Sequence, residues 1–176
     1  YADVHVVRRL EENISIKSGR VEGVAGGESE GFGVRVIVGG AWGFAASHHL
    51  TAAEADRVAA EAVRIARASA TAFRTHVTLD GRRPAHGRFE SPVVEDPFAV
   101  PLHRKIADLL AADSAMNAVK GIAWTETVYC AQREWKTFAA SDGSHTEQVI
   151  THVGAGLEAN AIDGDEHQRR SYPDNG

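Results

Sequence analysis

Gly31-Phe32-Gly33-Val34-Arg35-Val36-Ile37-Val38-Gly39-Gly40-Ala41-Trp42-Gly43-Phe44-Ala45-Ala46-Ser47 decides the fold. Phe32, Val34, Val36 and Val38 alternate with other residues, and this period of two gives a strand one buried face. Gly39-Gly40 turns the chain, because glycine tolerates the positive φ of a tight turn. Trp42, Phe44 and Ala46 continue the alternation on the way back. The run predicts two neighbouring antiparallel strands.

Upstream, Val4 and Val6 alternate with Asp3, His5 and Val7, and Ile14 and Ile16 alternate with Asn13, Ser15 and Lys17. Ser18-Gly19 supplies a hairpin turn, and Val21 and Val24 begin the return strand. Downstream, Thr51 and Glu54 have the spacing of a capping box. Ala55, Val58, Ala59, Ala62, Val63, Ala66 and Ala70 then draw an apolar stripe from about 52 to 72. Most of these residues are small, so the helix can lie close on the sheet. An antiparallel meander packed by one helix is α+β architecture.

From Asp80 to Pro97 the periodicity dissolves among Gly81, Pro84, Gly87, Pro92 and Pro97, as in a connector. Arg82, Arg83 and Arg88 lie there as a solvated cluster and as the expected first sites of tryptic cleavage. A second helix starts at about Pro101, with Leu102, Ile106, Leu109 and Leu110 on its buried face. Ile122 to Phe138 reads as strand, Val149, Thr151 and Val153 alternate, and Asp142-Gly143 and Asp163-Gly164 are hairpin signals. The prediction is a 1–78 domain, a 79–98 connector and a 99–176 domain. The last holds a helix and a four-stranded antiparallel meander.

The 176 residues carry 19 Lys and Arg against 24 Asp and Glu, a net charge of -5. Residues 1–90 hold 12 basic and 11 acidic side chains, and 91–176 hold 7 and 13. Neither half offers the phosphate-neutralising surface that nucleic-acid binding needs. No stretch approaches the roughly 18 consecutive apolar residues of a membrane span, and no signal-peptide pattern is visible within these residues. Cys130 is the single cysteine, so no internal disulfide forms and a reducing, cytoplasmic setting is expected.

Chemistry-bearing candidates are few. Of the nine histidines only His86 has a second His or a Glu at i, i+4, namely Glu90. That pair falls in the Gly- and Pro-punctuated connector, not on a helix that would set two zinc ligands on one face. His48 and His49 follow each other where a strand ends, which points their rings to opposite faces. Asp163, Asp165 and Glu166 lack the glycine that a calcium loop requires at its sixth position, where Gln168 stands, and His167 reads as an exposed strand residue. Cys130 reads as a buried, inert thiol, and Glu126 and Glu134 as solvated carboxylates. The glycines at 31, 33, 39, 40 and 43 lack the Gly-Lys-Ser/Thr ending of a phosphate loop. No catalytic and no metal-binding residue is assigned.

The Gly31–Ser47 run closely resembles the front domain of the TldD/PmbA family, also called modulators of DNA gyrase. Tyr1-Ala2-Asp3, Ser18-Gly19-Arg20-Val21-Glu22 and Leu50-Thr51 resemble it as well. Asp96-Pro97-Phe98, Val100-Pro101-Leu102 and Lys105 look like the entry to the family's middle domain, and Ser141-Asp142-Gly143 with Glu147-Gln148 like its hairpin.

The resemblance implies a cytoplasmic zinc metallopeptidase acting on unfolded peptides, paired as a homodimer or as a heterodimer with a paralogue. This part would shape the substrate chamber and the dimer contacts, and an extended peptide could pair with an exposed strand edge. The family's His-Glu-x-x-x-His helix and its further Cys ligand belong to a C-terminal domain, and no position here matches them. Zinc is therefore expected outside these residues. Trp42-Gly43-Phe44-Ala45 resembles the catalytic branch. The alternative is a metal-free partner subunit or a regulator of a DNA enzyme. The chain opens on Tyr1 and stops at Tyr172-Pro173-Asp174-Asn175-Gly176 with a strand pattern running at Gln168–Ser171. The expectation is a piece of a longer chain that goes on to encode the metal helix.

Overall fold

The computed structural model describes residues 1–72, 75–81 and 83–173. Arg82 and Asp174-Asn175-Gly176 lie outside the described residues. In chain order the elements are β1 (Ala2–Lys17), β2 (Arg20–Val38), β3 (Ala41–Ser47), α1 (Ala52–Ala70), β4 (His86–Glu90), α2 (Leu102–Asn117), β5 (Ile122–Ala140), β6 (His145–Asp163) and β7 (Glu166–Tyr172). The strands form one sheet in the order β3-β2-β1-β5-β6-β4, with β7 also beside β6. The α+β class and the antiparallel meanders hold. Pairing of β1 with β5 joins the two predicted meanders into one sheet, and three strands follow α2.

The predicted turns sit where the sequence puts them. Ser18 and Gly19 both take positive φ, 44° and 79°, between β1 and β2. β2 and β3 pair antiparallel from Phe32↔Ser47 to Val38↔Ala41 across Gly39-Gly40. Gly143 and Gly164 turn the next two hairpins with φ of 93° and 59°.

Contacts gather the residues into two compact units. The first holds Tyr1–Arg9, Ser29–Ser91 and Glu134–Ile150, and the second Leu10–Glu28, Pro92–Arg133 and Thr151–Gly176. In the first unit α1 covers one face of β2 and β3, with Val36, Ala62 and Ala66 buried together. Thr51 caps the helix by accepting from the Glu54 N–H at 3.2 Å. Only half of the predicted capping box forms, because the Glu54 carboxylate turns to Arg57 instead, at 2.7 Å. The connector is not wholly irregular. His86–Glu90 forms β4, pairing parallel with β6 from His86↔His145 to Glu90↔Val149. Its His, Gly and Arg residues have no alternation from which to read a strand.

In the second unit Ile14, Ile16 and Leu109 form the core, with Ile106, Leu110 and Tyr129 packed on it. Burying each isoleucine contributes about 2 kcal/mol. Leu102, predicted on the buried face of α2, is 40% exposed because it lies in the first turn, ahead of that core. Asp113, fully buried, holds the turn between β1 and β2. Its carboxylate accepts from the Gly19 N–H at 2.6 Å, the Thr125 hydroxyl at 2.6 Å and Asn117 Nδ2 at 2.9 Å.

Candidate functional site

β6 is paired along its outer edge by β7 from Leu157↔Tyr172 to Asp163↔Glu166. From His152 to Gly156 no strand pairs with it on that side among the described residues. A strand edge in this state offers N–H and C=O groups to another chain.

The face of this stretch toward α2 is one wall of a groove of about 680 Å³. Val153, Ala155 and Leu157 line the strand side, Val93 and Val94 the opposite side, and Tyr129 the floor. Val153 is 56% exposed and Val94 fully so. Asp96 keeps the opposite wall in place. It accepts from Arg133 Nη2 and from the Phe98 N–H, both at 2.9 Å. Those bonds, Arg133's first, hold its carboxyl below the usual range. Lys105, 6% exposed, also lines the groove, neutralised by the Glu12 carboxylate. Its Nζ lies 5.2 Å from the centre of the Tyr129 ring, and burial pushes the Tyr129 hydroxyl up.

On the opposite face the backbone is nearly bare. A Cβ on Gly154 would meet Cys130 Sγ at 3.2 Å, and one on Gly156 would meet Val128 at 3.1 Å. The groove and edge can therefore take an extended chain by its backbone, with alternate side chains in the groove. The ionisable side chains that line the groove are Glu95, Arg104, Lys105, Asp108 and Tyr129. No motif in the sequence marks this edge, although Gly154 and Gly156 inside a strand pattern are the signal of close backbone approach.

The other candidates fare differently. The His48 and His49 rings lie 3.9 Å apart between centres, tilted by 43°, instead of pointing apart, because they follow the last residue of β3 and strand alternation no longer applies. Cys130 is exposed, not buried, since α2 covers only the other face of β5. Glu134 is 9% exposed rather than solvated, and is held by Arg9 and Lys136, both at 2.6 Å. Burial alone would raise its carboxyl, but the bonds from Lys136 and Arg9 outweigh this and lower it. Glu126 lies in the other unit, on the β5 face that also carries Cys130 and lines the same surface groove. Asp163 and Glu166 close the β6–β7 hairpin. His167 is exposed and its Nε2 meets Asn160 Oδ1 at 2.9 Å. A groove of about 610 Å³ over Gly33 and Phe44 carries matched charges, with Arg35 on Asp3 and Arg9 on Glu134. Among the described residues no three His, Cys, Asp or Glu side chains form a metal-ligand set. No helix among them is long and apolar enough to cross a membrane.

Residues 2–66 match the model of the PmbA/TldA metallopeptidase domain 1, and residues 95–174 that of the PmbA/TldA metallopeptidase central domain. A metalloprotease of Methanothermobacter thermautotrophicus is 27% identical over 164 residues, which is 93% of this chain and 35% of that protein. The chain thus spans about a third of that relative's length. Three solved structures share the fold. A candidate modulator of DNA gyrase from Bacteroides thetaiotaomicron has a TM-score of 0.73 at 16% identity, over 97% of this chain and 39% of its own. A second, from Thermotoga maritima, scores 0.71 at 14% identity, over 97% and 38%. TldE from Thermococcus kodakarensis scores 0.65 at 12% identity, over 98% and 40%.

Proposed function

Because this chain belongs to the PmbA/TldD metallopeptidase family, we propose that it is the front portion of a zinc metallopeptidase subunit and that it holds unfolded peptides in extended form. The observation that carries this reading is the open edge of β6 from His152 to Gly156 beside its apolar groove. Backbone pairing gives affinity without demanding a sequence, and a groove that takes alternate side chains adds a preference for apolar ones. Both properties suit unfolded substrates.

The residues described here do not fit zinc, so the metal site of this reading lies outside them. The same reading puts the subunit in the cytoplasm, paired with a second copy or a family paralogue, without direct contact to nucleic acid. It also keeps 1–78 and 99–176 as successive modules of the sequence joined by 79–98, with the strands of both shared between the two compact units.

Two measurements test the proposal. Binding of a fluorescein-labelled unfolded peptide with alternate valines is followed by anisotropy. Val153→Glu, a change at an exposed position, is expected to weaken it about tenfold by placing a charge in the groove. Unchanged affinity would remove the groove from the reading. Sequencing the gene past codon 176 should reveal a His-Glu-x-x-x-His helix. A continuation without one makes the protein a metal-free partner subunit.

A further inference from the structure

We propose that the outer edge of β2 from Arg20 to Glu28 is a self-pairing surface, on which a second copy of this chain lays the same strand antiparallel about a two-fold axis at Val24. The proposal uses a different edge from the peptide groove and does not depend on peptidase activity.

β3 pairs with β2 only from Phe32 to Val38. Among the described residues, Arg20–Glu28 therefore has β1 on one side and no strand on the other. Every residue of the stretch except Gly23 is exposed, including Val21 and Val24 at 45% and 47%. A long exposed edge is a template for pairing, and proteins that avoid pairing blunt it with Pro, with charge or with a cover. No Pro stands between Arg20 and Glu28, and Gly23-Val24-Ala25-Gly26-Gly27 carries no charge.

The charges select the partner and the register. With Val24 on the axis, Arg20 of each copy stands opposite Glu28 of the other, so symmetry makes this ion pair twice. Glu22 then faces Gly26, which has no side chain to oppose it, and Val24 meets its counterpart. Directly opposed residues of this kind are the unit of sheet stabilisation. Moving the axis to Ala25 would pair Arg20 with Glu30 but also set Glu22 against Glu28, each twice, so like charge on like offsets the ion pairs. Moving it to Gly23 would leave Arg20 facing Gly26, with no ion pair. A patch that complements itself in one register is what an isologous two-fold contact requires.

Sedimentation equilibrium on the chain tests this. A concentration-dependent monomer–dimer equilibrium is expected. Arg20→Glu, which puts two acidic pairs across the axis, should weaken it about tenfold or more, and Val24→Lys should do the same. Glu28 also has an interaction within its own chain, so Glu28→Arg alone is not diagnostic. The double variant Arg20→Glu/Glu28→Arg restores opposite charges and should return association to within about threefold of the original. Circular dichroism on each variant checks that the fold is kept. A chain that stays monomeric overturns the proposal, as does a dimer indifferent to both Arg20→Glu and Val24→Lys. A double variant no stronger than Arg20→Glu overturns it as well.

Discussion

Gly43 shows at the scale of one residue why α1 can lie so close to β3. A Cβ there would stand 2.0 Å from the Ala62 carbonyl oxygen and 2.6 Å from the Ala66 nitrogen. Both are helix backbone and cannot swing aside. Gly43→Ala should therefore lower stability by about 3 kcal/mol, the upper range for overpacking, read as a shift in the urea midpoint at unchanged slope. An unshifted midpoint would mean that the helix rides farther from the strand. The sequence marked the glycines at 31, 33, 39, 40 and 43 as a group. It set the turn at Gly39-Gly40 apart from the strand glycines, but it did not separate Gly33, which lies under the Phe44 ring, from Gly43 under the helix. Those tasks depend on which element lies opposite. The same holds for buried Asp113 and Lys105, whose partners Gly19 and Glu12 are remote in sequence. A helical stripe counts apolar residues, so it passes over charged ones that bury by pairing.

At the scale of elements, α1 was legible at its start because a cap is a local device. Glu54 makes that start sensitive to acid. The bonds from Arg57 and then Ser47 hold its carboxyl at about 2, against an ordinary 4.5. A depressed carboxyl contributes its stabilisation above the unfolded value, and loses it as pH falls toward the folded one. Between pH 4.5 and 2, the denaturant midpoint of the native chain should thus fall more steeply than that of Glu54→Gln, while above this window the two profiles run parallel. Parallel profiles throughout would show that the Arg57 pair contributes nothing in solution, the common fate of exposed ion pairs. β4 was not legible, since its pairing with β6 rather than its own composition makes it a strand. The open edges of β2 and β6 were hidden for the same reason. An edge is a relation among strands, and no pattern within one strand reveals which side stays unpaired.

The whole molecule adds a property that neither helix nor hairpin carries alone. β1, β2, β5 and β6 run for 16, 19, 19 and 19 residues, against the five or six or so usual in globular proteins. Each contributes residues to both compact units. Alternation predicted the strands, but not that single strands would serve two cores. Val21 and Val24 on the one hand and Phe32 to Val38 on the other read as separate runs, and Gly26 and Gly27 between them have no side chain from which to read a face. Strand continuity bears on unfolding, because a strand that loses its pairing in one core is freed at the border of the other. The expectation is one cooperative transition. Gly43→Ala acts in the first unit. Asp113→Ala acts in the second, where it strips a buried acceptor from the Gly19 N–H and the Thr125 hydroxyl and should cost about 3 kcal/mol. Each variant should lower the same single midpoint, seen alike by tryptophan fluorescence and far-ultraviolet circular dichroism, with the slope unchanged. If Asp113→Ala instead splits the curve, leaving part of the signal at the original midpoint, the units unfold independently and strand continuity does not couple them.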